Sequence, residues 1–100
     1  MTYKLKFVPS ALKEWEKLGD TVRKEFKKAL EKRVINPCIP KQKLSGFSNI
    51  YKIKLRSAGY RLVYEVIEKE VVILVLAVAK RDKDEVYDKL SKRKVELTPV

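Results

Sequence analysis

Histidine is absent from the 100-residue chain. Without it there are no His general acid–base pairs, no Ser-His or Cys-His nucleophiles and no His-ligated metal sites, so any catalysis falls to other side chains. The single cysteine, Cys38, closes off an internal disulfide and a thiolate metal cluster. Its setting, Asn36-Pro37-Cys38-Ile39-Pro40, reads as a loop, and a lone Cys most often behaves as a small hydrophobe. There is no Gly-rich phosphate loop and no metal-ligand spacing, so neither a cofactor nor a metal is expected. The longest apolar run, residues 71–79, has nine members, about half of a membrane span. The first residues alternate instead of forming an apolar signal core. These absences predict a soluble cytoplasmic protein with no membrane partner.

Acidic residues are also scarce: 13 Asp and Glu stand against 24 Lys and Arg, for a net charge of +11. Such an imbalance costs self-repulsion in a compact state and points to a polyanionic partner, whether nucleic acid, ribosome, anionic membrane surface or acidic protein. Hydrophobic residues make up 45% of the chain, as in packed domains, so the excess charge rides on a folded surface. The length suits one core and not two. A single domain is expected over residues 1–94, with 95–100 as a flexible tail.

Tyr3, Leu5 and Phe7 alternate with Thr2, Lys4 and Lys6, the period of a half-buried strand. Pro9 and Ser10 end it, and Ser10 is placed to cap a short helix with Leu12, Trp15 and Leu18 on one face. Gly19 suits the position past that helix and Asp20 the N-cap of the next. The second helix runs to about Ile35, where Asn36-Pro37 stops it, with Val22, Phe26, Ala29, Leu30 and Val34 as its apolar stripe. Residues 21–35 also hold six Lys or Arg and two Glu, although cation runs on helices are most often solvated faces. A loop over 36–48 precedes three strands, at about 49–56, 60–67 and 71–79, whose short connections force antiparallel hairpins. The all-apolar third strand belongs near the middle of the sheet. Asp82 and Glu85 form a capping-box pattern opening a final helix with Val86 and Leu90 inward. The order β-α-α-β-β-β-α predicts an α+β fold: an N-terminal strand, a helical hairpin, an antiparallel sheet meander and a short C-terminal helix.

The chemistry is concentrated around the first hairpin. Tyr51, Ile53 and Leu55 must share a buried face with Tyr60, Leu62 and Tyr64, and the register that does so pairs Leu55 with Tyr60, Ile53 with Leu62 and Tyr51 with Tyr64. Lys54 then lies opposite Arg61, with Lys52 and Arg56 one pleat away on either side. Like charges across an antiparallel pair are destabilising. Edge protection explains isolated lysines, but a matched Arg on the partner strand fits a polyanion site better, because its planar fork engages two phosphate oxygens at once. Lys80-Arg81 closes the long apolar strand, from where Arg81 is able to reach the same face. Tyr87 follows the inward Val86 and, by position alone, reads as a half-buried helix tyrosine.

The sequence resembles the RelE-type toxins of type II toxin–antitoxin systems. The likeness runs through Ala11-Leu12-Lys13-Glu14-Trp15, Lys17-Leu18-Gly19, Tyr51-Lys52-Ile53-Lys54-Leu55-Arg56-Ser57, Gly59-Tyr60-Arg61-Leu62-Val63-Tyr64, Lys80-Arg81 and Glu85-Val86-Tyr87. It spans about residues 2–90 without a gap. Lys92-Arg93-Lys94 and the tail depart from the pattern.

The resemblance implies a ribosome-dependent endoribonuclease that cuts mRNA in the ribosomal A site, the ribose 2′-OH attacking the adjacent phosphate to leave a 2′,3′-cyclic phosphate and a 5′-OH. Lys52, Lys54, Arg61, Arg81 and Tyr87 would be its catalytic residues, which gives Tyr87 a functional reading in place of the bland one. Arg56, Lys80 and Lys43 are the candidates for holding RNA without entering the chemistry. Crowded cations depress one another's pKa, so Lys52 is a candidate base, as is a Tyr87 phenolate, and Arg81 a candidate for the leaving oxygen; base and acid stay unassigned among Lys52, Lys54, Tyr87 and Arg81. The implied partners are an acidic RelB-like antitoxin, the ribosome with its mRNA, and operator DNA contacted through the antitoxin. The alternatives are a toxin of the same fold that poisons DNA gyrase and a non-catalytic basic nucleic-acid-binding module.

Overall fold

The computed structural model describes residues 2–44 and 46–80. The final helix, the tail, Arg81 and Tyr87 lie outside the described residues. The alternating N-terminus forms β1 (Lys4–Phe7), followed by α1 (Pro9–Glu16) and α2 (Asp20–Arg33). A 3₁₀ turn over Pro40–Gln42 leads to β2 (Ile50–Leu55), β3 (Tyr60–Ile67) and β4 (Val72–Lys80).

The four strands form one sheet in the order β1-β4-β3-β2. The apolar β4 is therefore central, as its composition requires. The β2–β3 and β3–β4 pairs are antiparallel. β1 joins β4 in parallel, Lys4 opposite Val72 and Phe7 opposite Val75, so the sheet is mixed. Parallel pairing needs a crossover, and α1 and α2 supply it.

Local chemistry corrects several boundaries. Val8, not Ser10, is the N-cap of α1, because Pro9 occupies the first helical position, where its missing N–H costs nothing. The helix is turned accordingly. Ala11 is fully buried, whereas Leu12 is 43% exposed, so Leu12 leaves the expected inward face while Trp15 and Leu18 keep theirs. Gly19 is the N-cap of α2 and Asp20 its first residue, where the carboxylate suits the positive end of the helix and accepts from Arg23 at 2.7 Å. The third expected strand starts one residue late: Val71 belongs to the turn and has φ 55°.

The helices cover one face of the sheet. Phe26 and Leu30 of α2 are buried there in one core with Tyr51, Ile53, Leu62, Tyr64 and Val75. Where β1 no longer flanks β4, the α1 carboxylate of Glu14 accepts from the Val78 N–H at 3.1 Å, satisfying a backbone donor that lacks a strand partner. A hollow of about 530 Å³ lies between β1 and the helices, walled by Leu5, Phe7, Trp15, Leu30 and Val34. It is apolar and stands apart from the cation-bearing hairpin.

Candidate active site

The hairpin has the register read from the sequence: Leu55 faces Tyr60, Ile53 faces Leu62, Tyr51 faces Tyr64, and Lys54 lies opposite Arg61. A four-residue turn over 56–59 joins the strands. Gly59 donates to the Leu55 carbonyl at 2.9 Å and has φ 70°, a conformation that glycine adopts without steric cost. The turn thus fixes which residues oppose one another.

On the face away from the helices, Lys54 is exposed while Lys52 and Arg61 are half-buried. Ala79 of β4 lies opposite Arg61, and Ala77 opposite Val63. This placement depends on a bulge between Val63 and Tyr64, which leaves Leu76 as the extra residue on β4. With one residue fewer, β4 would present the other parity here. Ala77 and Ala79 are themselves buried. A hollow of about 320 Å³ is bounded by Lys54, Leu55, Arg56, Tyr60 and Arg61.

The cations are electrostatically coupled. The Lys54 pKa is lowered from its ordinary 10.5, chiefly by the charge of Lys52, then by desolvation, by a hydrogen bond with Lys52, and by Arg61 and Arg56. Lys54 therefore gives up its proton more readily than a lone lysine. Lys54 is one of the four residues among which the sequence leaves base and acid open.

The expected RNA-holding residues separate. Arg56 is exposed at the rim of the cluster. Lys80 pairs with Tyr60 and so lies on the helix-bearing face, sharing a recess with Glu14, Lys17 and Tyr60. Lys43 bridges Tyr51, which likewise assigns it to the helix side. Neither joins Lys54 and Arg61.

A network beneath the site was not anticipated from the sequence. Arg33, the last residue of α2, donates through Nη1 to the Tyr64 hydroxyl at 2.7 Å and to the Lys52 carbonyl at 3.2 Å. Tyr64 donates in turn to the Pro37 carbonyl at 2.7 Å and stacks on Tyr51, ring centroids 5.9 Å apart. Burial raises the pKa of Tyr64, partly offset by Arg33. It also pushes Tyr51 up to about 12, aided by Cys38. Cys38 thus borders this network and not the cation face. The available signal was Tyr64 itself, since a tyrosine assigned to a core needs a partner for its hydroxyl.

The arrangement is suited to holding a phosphodiester: two cations face each other across a hairpin, and a third depresses the pKa of one of them. Residues 5–85 match the family model described as the ParE toxin of type II toxin–antitoxin systems. The chain is 53% identical over 93 residues to the mRNA interferase toxin RelE of Escherichia coli K12, covering 93% of this chain and 98% of that one. The chain belongs to the RelE-type toxins of type II toxin–antitoxin systems. The structure of a free E. coli RelE variant carrying two Arg-to-Ala changes has a TM-score of 0.86 at 52% identity, covering 93% of this chain and 98% of that one. The RelE chain of the intact E. coli RelBE toxin–antitoxin complex has a TM-score of 0.78 at 52% identity, over 81% of this chain and 99% of that chain. A RelE–RelB complex from Pyrococcus horikoshii has a TM-score of 0.63 at 25% identity, over 83% of this chain and 99% of that one. Among the described residues no helix is long and apolar enough to cross a membrane, and no group of side chains is arranged to hold a metal ion.

Proposed function

We propose that this toxin is a cytoplasmic endoribonuclease that cuts mRNA in the ribosomal A site, and that an acidic RelB-like antitoxin neutralises it and with it represses their own operator. The observation that carries this reading is the lowered Lys54 pKa opposite Arg61, in a chain 53% identical to an mRNA interferase.

The reaction needs a base for the 2′-OH, a counter-charge for the phosphoryl oxygens and a proton for the departing 5′-oxygen. The neutral fraction of Lys54 takes the 2′-OH proton. The O2′–P bond forms as the P–O5′ bond breaks, giving the 2′,3′-cyclic phosphate. Arg61, half-buried and always charged, supports the negative charge that builds on phosphorus. Lys52 contributes its field, which holds the Lys54 pKa down. The proton for O5′ is assigned to the segment bearing Arg81 and Tyr87.

Dependence on the ribosome has a physical reason. An amine that is only partly neutral is a modest base, so rate must come from holding the 2′-OH in line with the P–O5′ bond. Such positioning is worth up to about 7–11 kcal/mol, and flexible free RNA supplies none of it. The test is to incubate the toxin with ribosomes carrying a defined mRNA and a vacant A site, and to map the mRNA ends. Breaks within the A-site codon ending in cyclic phosphate are expected. Intact message would overturn the nuclease reading and leave a binding module or a gyrase poison.

A further inference from the structure

Behind the reaction face, α2 and the outer edge of β2 enclose a second cleft of about 420 Å³. Lys28 and Lys32, one turn apart on α2, meet Lys54 and Arg56 across it, with Arg33 in its wall and Glu25 at its end. We infer that this cleft is a second, non-catalytic phosphate site, holding the RNA backbone next to the linkage at the reaction face. The inference rests on the nuclease reading and adds a binding subsite to it.

Three observations carry it. The cleft gathers four lysine and arginine side chains besides Arg33 against the single carboxylate of Glu25: Lys28 and Lys32 of α2 with Lys54 and Arg56 of the hairpin, and the α2 ion pair Arg23–Asp20 takes in neither lysine. A solvated helix face would have no need to approach a second cationic edge. The cleft and the reaction-face hollow also share Lys54, Leu55 and Arg56 as a common wall. The end of β2 is thus a ridge with a basic hollow on each side, a shape that fits consecutive phosphates of one strand crossing it. Finally, the β2 edge offers a backbone donor. The Ile50 carbonyl accepts from Leu44 N–H, and the Lys52 carbonyl accepts from Arg33; strand alternation therefore turns the Lys54 peptide groups to the same outer side. Arg33 is engaged with Tyr64 and Lys52, so Lys28 and Lys32 supply the charge. Glu25 marks the limit of the anion-binding stretch.

The test compares the wild-type toxin, Lys28→Gln/Lys32→Gln, and Lys24→Gln/Lys27→Gln, a pair that removes equal charge from the part of α2 lining the apolar hollow. Binding to mRNA-programmed ribosomes with a vacant A site is titrated against salt, and cleavage is followed on the same samples. The cleft pair is expected to weaken binding on the order of tenfold and to lower the slope of log K against log salt by about 1.5. It should raise KM far more than it lowers kcat. Lys28→Arg/Lys32→Arg should restore both. Ribosomes carrying no message separate the sources of the phosphate: a binding defect confined to programmed ribosomes supports the site, whereas an equal defect on message-free ribosomes assigns the contact to ribosomal RNA and overturns it. Unchanged binding in the cleft pair, or an equal loss in the Lys24/Lys27 pair, overturns it. Binding reads out even if no message is cut, so failure of the nuclease reading is seen separately, in the wild-type cleavage lane.

Discussion

One nitrogen of Arg33 serves two strands, donating to the Tyr64 hydroxyl of β3 at 2.7 Å and to the Lys52 carbonyl of β2 at 3.2 Å. The end of α2 is thereby fixed to the backbone of the residue that sets the Lys54 pKa. Tyr64→Phe removes the bond to Arg33 and leaves the Pro37 carbonyl without its donor. A loss of about 1–3 kcal/mol is expected, read as a lower Tm. Arg33→Met should cost a similar amount and also reduce kcat on programmed ribosomes with little change in KM, because it loosens the site and not the RNA contacts. An unchanged kcat would make the network purely structural.

Cleavage should increase with pH toward the lowered Lys54 pKa, with a limb below the ordinary lysine value of 10.5. Lys52→Met removes the largest cause of the lowering, so the limb should move to higher pH and the rate near neutrality should fall. Lys54→Met should lose about 10²–10⁴-fold, the usual share of a proton-transfer group. A pH–rate profile for each variant on the same ribosomes checks both statements.

The same charges act on stability with a definite sign. Lys54 binds its proton less tightly folded than unfolded, so its protonated form opposes folding at every pH below its folded pKa. That opposition is relieved as pH rises from there to about 10.5. Both Lys52→Met and Lys54→Met should therefore raise Tm at neutral pH while lowering activity, the trade expected where function keeps like charges together. A lower Tm in both variants would contradict this.

Tyrosine ionisation works against the fold in alkali. Tyr51 titrates at about 12 in the folded chain against 10.0 ordinarily, so its contribution to stability is intact below pH 10 and is lost as pH climbs from 10 to 12. Tyr64 moves in the same direction. Spectrophotometric titration should show phenolate from these two rings only as the protein unfolds, and Tyr51→Phe should extend the fold to higher pH.

Val71 has φ 55° in the turn before β4, a left-handed conformation that a β-branched residue adopts at a cost of about 1–2 kcal/mol. Asparagine tolerates it better. Val71→Asn should stabilise the protein by about 1 kcal/mol and raise Tm by roughly 4–8 °C, since the Lys4 bond to the Val71 carbonyl at 2.8 Å is a backbone contact. Thermal unfolding of the single variant decides it.

The β2–β3 register was legible because two sets of three apolar residues and one short turn admit a single pairing, and that pairing assigned Lys54 and Arg61 to one face. What was not legible depends on pairing that local pattern does not contain. The faces of Lys80 and Lys43, the expected RNA-holding residues, follow from the β3–β4 bulge and from an isolated bridge to Tyr51, neither of which leaves a local pattern. Ser10 and Asp20 were good caps by residue type, but each lost to a neighbour, Ser10 because Pro9 claims the first helical position. The parallel docking of β1 on β4 left no local trace, since alternation marks a strand and says nothing of its partner.

That docking also orders the assembly of the chain during its own synthesis. β1 is made first and β4 last among the described strands, so the N-terminal strand and both helices leave the ribosome well before the strand they pack on. The β2–β3 hairpin can close locally, whereas the sheet that sets Ala77 and Ala79 beside it cannot form until residue 80 is available. Contacts between such distant segments fold slowly, and a growing chain would carry its cationic hairpin without the scaffold that tunes it. Competence for cleavage should therefore wait until β4 has emerged and paired.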